Sequence, residues 1–214
     1  MGWHRFLNWL ETNWKYILQG AAVVAVVATV ISFYYWNQGQ REIMASEALS
    51  NVNGPNAADA FLKLAGQYPK TDAAPRAVLL AASDLFMAGR YADAQAQFER
   101  VLRDYPATSF RVQALLGVAA CLDAQGKTAE AATRYSELIQ RHPNDSVSSQ
   151  ARSALARLYE MQNQPEKALQ LYLELTRSEA YSSFGLEAGI CLQDLLARHP
   201  ELKAKMNPAG AAQP

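Results

Sequence analysis

Two stretches decide how this chain is read: residues 91–106, YADAQAQFERVLRDYP, and residues 128–143, TAEAATRYSELIQRHP. They lie 37 residues apart, and each sets an alanine, an aromatic ring and an aliphatic residue at i, i+4 and i+7 before closing on proline. Ala94, Phe98 and Val101 in the first answer to Ala131, Tyr135 and Leu138 in the second. That spacing is one face of an α-helix. The same offset reaches Ala57, Phe61 and Leu64 upstream and Ala168, Tyr172 and Leu175 downstream.

A second set of columns shares the register. Ala77, Ala114, Ala151 and Ala188 fall in one; Ala81, Val118, Leu155 and Leu192 in the next; Leu85, Leu122, Tyr159 and Leu196 in a third. These describe another helix ahead of the first in each unit. Gly89, Gly126 and Asn163 stand where the leading helix must end, and these residue types tolerate the left-handed conformation of a helix C-cap. Pro69, Pro106 and Pro143 close the trailing helix, because proline lacks an N–H and disfavours helical geometry in its predecessor. Thr71-Asp72, Thr108-Ser109, Asp145-Ser146 and Ser182-Ser183 follow, offering oxygens to cap the next helix. Each unit reads as a helical hairpin that buries its apolar faces only by stacking on its neighbours.

The register extends in both directions. Met44, Ala45 and Ala48 fall in the leading-helix columns, so the chain entering the array supplies the first half of unit one. Residues 183–198 read as a lone leading helix closing the stack, with Glu187, Asp194 and Arg198 on its outer face. After Pro200 the tail, ending NPAGAAQP, has no apolar period and is expected to be disordered.

Ahead of the array, Ile17 to Trp36 form 20 residues without a charge. As a helix they span about 30 Å, the thickness of a bilayer's hydrocarbon core. Trp14 and Tyr16 on one side and Tyr34, Tyr35 and Trp36 on the other are the rings expected to anchor the two interfaces. A cleaved signal peptide fits poorly, because its only small-residue exit, Val26-Val27-Ala28, lies inside the run. A lipoprotein needs a cysteine just after the apolar core, and the first is Cys121. Residues 3–14 place apolar rings at helical spacing and fit a short amphipathic helix in the interface. Arg5 and Lys15 precede the span and Arg41 follows it, which favours a cytoplasmic N-terminus and an array on the far side.

The composition of the 214 residues excludes several functions. Lys+Arg is 20 and Asp+Glu is 20, with no basic stripe, so the footprint of a nucleic-acid binder is missing. From Gln38 onward the counts are 18 and 19, so the array is near neutral on its own. Cys121 and Cys191 form no CxxC pair, and two whole units separate them, so no disulfide or zinc site is expected. His4, His142 and His199 make no catalytic set, the last two sitting in Arg-His-Pro turns at helix ends. No metalloprotease, nucleophile-elbow, phosphate-loop or calcium-loop motif occurs. The reading is non-enzymatic, with no catalytic, cofactor-binding or metal residues and no cofactor.

Small residues at helix contacts, an aromatic in the trailing helix and a proline at its end resemble the tetratricopeptide repeat superfamily. The resemblance runs from Gln38 to Arg198 and is carried by Gly89, Ala94, Phe98 and Pro106 and their copies. It implies an all-α fold: a single N-terminal transmembrane helix, then an α-solenoid of tetratricopeptide-like hairpins with a C-terminal capping helix. The expected divisions are a stub at 1–16, the span at 17–36, the repeats at 38–199 and the tail at 200–214. A short stub, one anchor ending in Tyr35-Trp36-Asn37 and such a repeat domain resemble the ancillary Sec translocon subunit family, the YfgM type. That resemblance implies a single-pass inner-membrane protein with a periplasmic array, assisting translocation or folding beside the translocon. The clean repeats are similar to coordinator proteins of envelope assembly, which implies a scaffold instead.

Proteins or peptides are the expected partners, held by the leading helices. Mapping that groove gives Arg76, Leu79, Ser83 and Phe86 in one unit and Gln113, Leu116, Ala120 and Asp123 in the next. Gln150, Ser153, Arg157 and Glu160 follow. No Lys or Asn occupies the positions that clamp a peptide carboxylate in some relatives. Leu79, Phe86 and Leu116 make part of the surface apolar. They fit either a groove for an apolar segment or packing inside the array, and the sequence leaves both readings open.

Overall fold

A computed structural model describes residues 3–54, 56–179 and 181–203. Within them the chain is helical throughout, with nine α-helices and no strand among the described residues. They are α1 (Trp3–Ser50), α2 (Ala57–Gln67), α3 (Ala73–Met87), α4 (Tyr91–Asp104), α5 (Arg111–Ala124), α6 (Thr128–Arg141), α7 (Ser146–Met161), α8 (Pro165–Ser178) and α9 (Ser183–Arg198). Each helix packs on the next, and α3, α5, α7 and α9 also touch in series. The result is a stack of hairpins, with α1 against α2 and α3 completing the first layer.

The turns obey the period. Gly89 and Gly126 both have φ of 76° and Asn163 has φ of 55°, so all three take the left-handed conformation that the register requires. The trailing helices α2, α4 and α6 end one residue before Tyr68, Tyr105 and His142, each followed by its proline. The aromatic column is buried at Phe61, Phe98, Tyr135 and Tyr172. Full burial of such a ring contributes about 1.5–3 kcal/mol, so this column is a principal source of cohesion between layers.

One contact in the core follows no periodic rule. Gly117 on α5 presses on the Phe98 ring of α4, and an added Cβ would stand 2.6 Å from three ring carbons. In the neighbouring layers the same column holds Leu80 and Ala154, so only here does the ring lie over bare backbone.

The capping expectations hold in part. Asp145 accepts from the Val147 N–H at 2.9 Å and Ser182 from the Gly185 N–H at 3.2 Å. Thr71 does not cap: its hydroxyl donates to the Tyr68 carbonyl at 2.7 Å. Thr108 accepts only a long 3.4 Å bond from Phe110 N–H. The cap of α3 comes from far away in sequence. Glu42 of α1 accepts from Asp72 N–H at 3.0 Å on one carboxylate oxygen and from Ala73 N–H at 3.2 Å on the other. The carboxylate also complements the positive end of the α3 dipole.

Two boundaries and one column position differ from the expectation. α1 runs for 48 residues, about 72 Å of unbroken helix, so the segment 3–14, expected as a short helix of its own, continues into the span. Ala45 is fully buried as expected, but Met44 is exposed, because its side of α1 has no neighbour. At the other end Leu202 is fully buried beside Leu195 and Tyr172, with its N–H bonded to the His199 carbonyl at 3.1 Å. Residues 200–203 therefore belong to the array rather than to the tail. The rest of that tail, 204–214, lies outside the described residues.

Candidate functional site

The leading helices carry the positions expected to meet a partner, and the structure sorts them by accessibility. Arg76 on α3, Gln113 on α5 and Arg157 on α7 are exposed; Ser83, Phe86, Leu116 and Ala120 are half-buried. Leu79 is only 4% exposed, so it is a core residue and not part of the offered surface. Ala48 and Leu49 at the end of α1 pack against the same large core cluster. Phe86 is partly spent as well, its ring meeting Tyr91 edge-on at 5.2 Å between centroids. What remains accessible is a mixed face of guanidinium, amide and modest apolar area.

Its electrostatics vary along the stack. At α5 and α7 burial pushes the Asp123 carboxyl above its ordinary value, with the Arg157 guanidinium pulling it back. Burial also raises the Tyr135 phenol beneath them. Further on, Glu160 accepts from the Tyr172 hydroxyl at 2.6 Å and from Arg198 of α9, so this groove position is engaged internally. Ser83 likewise bonds back to the Leu79 carbonyl at 3.0 Å.

Between α1, α3 and the turn ahead of α5 lies a cleft of about 400 Å³ that the sequence reading did not find. It is walled by Ser46 and Leu49 of α1, Arg76 of α3, and Thr108 and Phe110 of the turn, with Glu42 at its edge. Of the expected positions only Arg76 reaches it. The available signal was the register itself: Glu42 occupies in α1 the column of Leu79 and Leu116, so unit one contributes wall residues too.

The five anchor rings, Trp14, Tyr16, Tyr34, Tyr35 and Trp36, are all more than half exposed. α1 is the one helix among the described residues long and apolar enough to cross a membrane, and its apolar stretch is buried nowhere against the rest of the chain. Both cysteines are free thiols, Cys121 buried and Cys191 half-buried. Burial and the nearby Glu99 charge push Cys121 up to about 11.

Comparison with known proteins agrees with this architecture. Residues 7–131, more than half of the chain, match the tetratricopeptide repeat-like domain family, and residues 122–180 match a tetratricopeptide repeat family. The chain belongs to the tetratricopeptide repeat-like domain family. The first match begins ahead of the apolar run and extends into α6, so span and repeats fall within one matched unit. No curated protein matches the sequence.

Similar solved structures include MamA from Desulfovibrio magneticus RS-1, from its position 41 to its end. It is 17% identical, with 78% of this chain and 88% of that one covered and a TM-score of 0.58. A tetratricopeptide repeat protein from Parabacteroides merdae ATCC 43184 is 13% identical over 77% of this chain and 62% of that one, at 0.57. The TPR-like repeats of a putative kinesin light chain from Podosopora anserina are 14% identical over 80% and 97%, at 0.55. At these identities the likeness is one of fold. The protein is a tetratricopeptide repeat interaction module with a candidate membrane helix at its N-terminus.

Proposed function

We propose that the protein is anchored in a bacterial inner membrane by Ile17 to Trp36 and presents its repeats on the periplasmic side, assisting protein translocation or folding beside the Sec translocon. The observation that carries this reading is α1 itself. One unbroken helix holds both the exposed apolar stretch and the buried Ala45 of the first layer, so the binding surface begins where the anchor ends. The excess of Lys/Arg before the span supports the orientation. Added protease should degrade the array in spheroplasts while leaving a fragment containing the span; an array that stays intact until detergent is added would sink the periplasmic reading.

A second reading, a scaffold between folded envelope complexes, is favoured by the burial of Leu79. With Leu79 buried, the groove positions left exposed are Arg76, Gln113 and Arg157, which suit a polar folded surface. A photoreactive residue in place of Leu116 separates the two: many unfolded chains captured support the chaperone, one folded partner the scaffold.

A further inference from the structure

We propose that the cleft between α1, α3 and the turn ahead of α5 receives the segment by which a second membrane-spanning chain leaves the bilayer, and that the helical phase of α1 aims the cleft at that chain. This rests on the membrane anchoring proposed above. Three observations carry it, beginning with height. From Trp36, the last ring of the apolar run, to Glu42 at the cleft's edge is six residues of helix, a rise of about 9 Å. Headgroups occupy about 5–8 Å outside the hydrocarbon on each side. On α1 the cleft's lining runs from Glu42 to Leu49, about 9–20 Å beyond Trp36, so it begins at the outer edge of the headgroups, in a layer that every chain leaving the membrane must cross.

The second observation is rigidity. No break separates the span from the cleft, and Glu42 grips two consecutive backbone amides of α3 with both of its oxygens. Amides of a packed helix cannot swing as a surface side chain does, so α3 turns with α1 as one body. Rotation of the anchor about its axis is then rotation of the cleft, and the array does not sample all directions.

The third is the chemistry of the walls. About 400 Å³ admits a few residues of extended chain and excludes a folded domain. Leu49 and Phe110 provide half-buried apolar contacts, while Ser46 is exposed at the side. Arg76 is exposed, forms no ion pair among the described residues, and holds donors suited to backbone carbonyls. Such a site fits an extended segment with an apolar side chain toward Leu49 and its carbonyls toward Arg76.

The test uses the full chain in native membranes, with a photoreactive residue in place of Ser46 or, as a distal control, Gln150. Adducts at Ser46 are expected to map to an integral membrane chain within about ten residues of its own span, at a yield about tenfold above Gln150. Inserting two alanines after Gln38 turns the array by about 200° and raises it by about 3 Å, and the Ser46 adduct should fall about tenfold. Inserting four turns it by about 40° and raises it by about 6 Å, and most of the adduct should remain. Loss that follows height rather than phase overturns the proposal. So does an adduct to a soluble protein, to a second copy of this chain or to nothing. Alkaline extraction of the same membranes separates the two levels of failure: a chain that is released overturns the anchoring and the cleft together, whereas a retained chain without the Ser46 adduct overturns the cleft alone.

Discussion

The layers around α3 and α5 and those from α7 to α9 repeat the same period with different chemistry. In the column at Val78, Leu115 and Arg152, the first two are aliphatic and the third is a guanidinium only 6% exposed. Arg152 donates to the Pro143 carbonyl at 3.0 Å, and its Nε lies 3.0 Å from Glu174, although the N–H is not aimed along that line. The column at Pro75, Val112 and Ser149 changes in the same way: the Ser149 hydroxyl donates to Glu179 at 2.7 Å. Tyr172, Glu160 and Arg198 add a second polar chain across α8, α7 and α9. In these columns the early layers are aliphatic, with the Glu42 cap of α3 and the Gln125–Gln95 amide bond at 2.8 Å as polar links elsewhere, while the late layers bury charged groups in the columns themselves. Periodicity decides where a side chain goes; it does not decide which force keeps it there.

Several changes would break or sharpen that contrast, followed as loss of helical circular dichroism against urea for the full chain in mild detergent. The largest effect is expected from Phe98→Ala, which empties a buried ring position and should cost about 3–5 kcal/mol. Gly117→Ala should cost about 1–3 kcal/mol by forcing that ring aside, and Phe98→Leu combined with it should cost less than the two singly added. Additivity would show that the glycine contact is not what limits the layer.

Smaller effects are expected where polar groups hold the stack. Glu42→Ala removes the cap of α3 and should cost about 0.5–2 kcal/mol, with faster amide exchange at residues 72 and 73 as its signature. Tyr172→Phe deletes one hydroxyl and should cost about 1 kcal/mol. If both leave amide exchange unchanged, the polar links are passengers.

One group in each region should also answer pH, in opposite directions. The Ser149 and Ser182 hydroxyls hold the Glu179 carboxyl below its ordinary value. The unfolded chain then takes up that proton first, so this contribution is present above the ordinary carboxylate range and is lost as pH falls through the folded value. Cys121 is raised to about 11, so the unfolded chain loses its proton first and the early layers weaken as pH rises from about 9 toward 11. Hydrogen exchange resolved by segment should show acid loosening the Ser149–Glu179 contact between α7 and the end of α8, and alkali the surroundings of Cys121 on α5.

Much of this fold was legible because its determinants recur. Ala94, Phe98 and Gly89 have copies 37 residues on, and a repeated signal survives the noise of a single sequence. The Glu42 cap joins positions 30 apart and occurs once, so no column reveals it. Gly117 was readable only as the smallest member of a column, and nothing in the pattern says that the Phe98 ring lies over it. The site was less legible than the fold for a related reason. Periodicity marks Leu79 and Leu116 as equivalent, yet the first is buried and the second only half-buried. The closing helix shows the limit from the other side: beyond Glu187, Asp194 and Arg198, it exposes Leu186 at 64% and Ile190 at 70%.

A stack of hairpins opens from its ends, since an end layer has a neighbour on one side only. Here the two ends are unequal. The first layer includes α1, which continues into Ile17 to Trp36, so in the anchored arrangement proposed above lipid around that helix would also hold the layer closed. At the far end α9 packs Ala188 and Leu195 against α8, with Leu202 and the Glu160–Arg198 link beside them, and no further layer among the described residues covers its outer face. With that anchoring, opening should run one way, from α9 toward α1, so a protease would shorten the protein from its C-terminus while the layers nearest α1 stay folded longest.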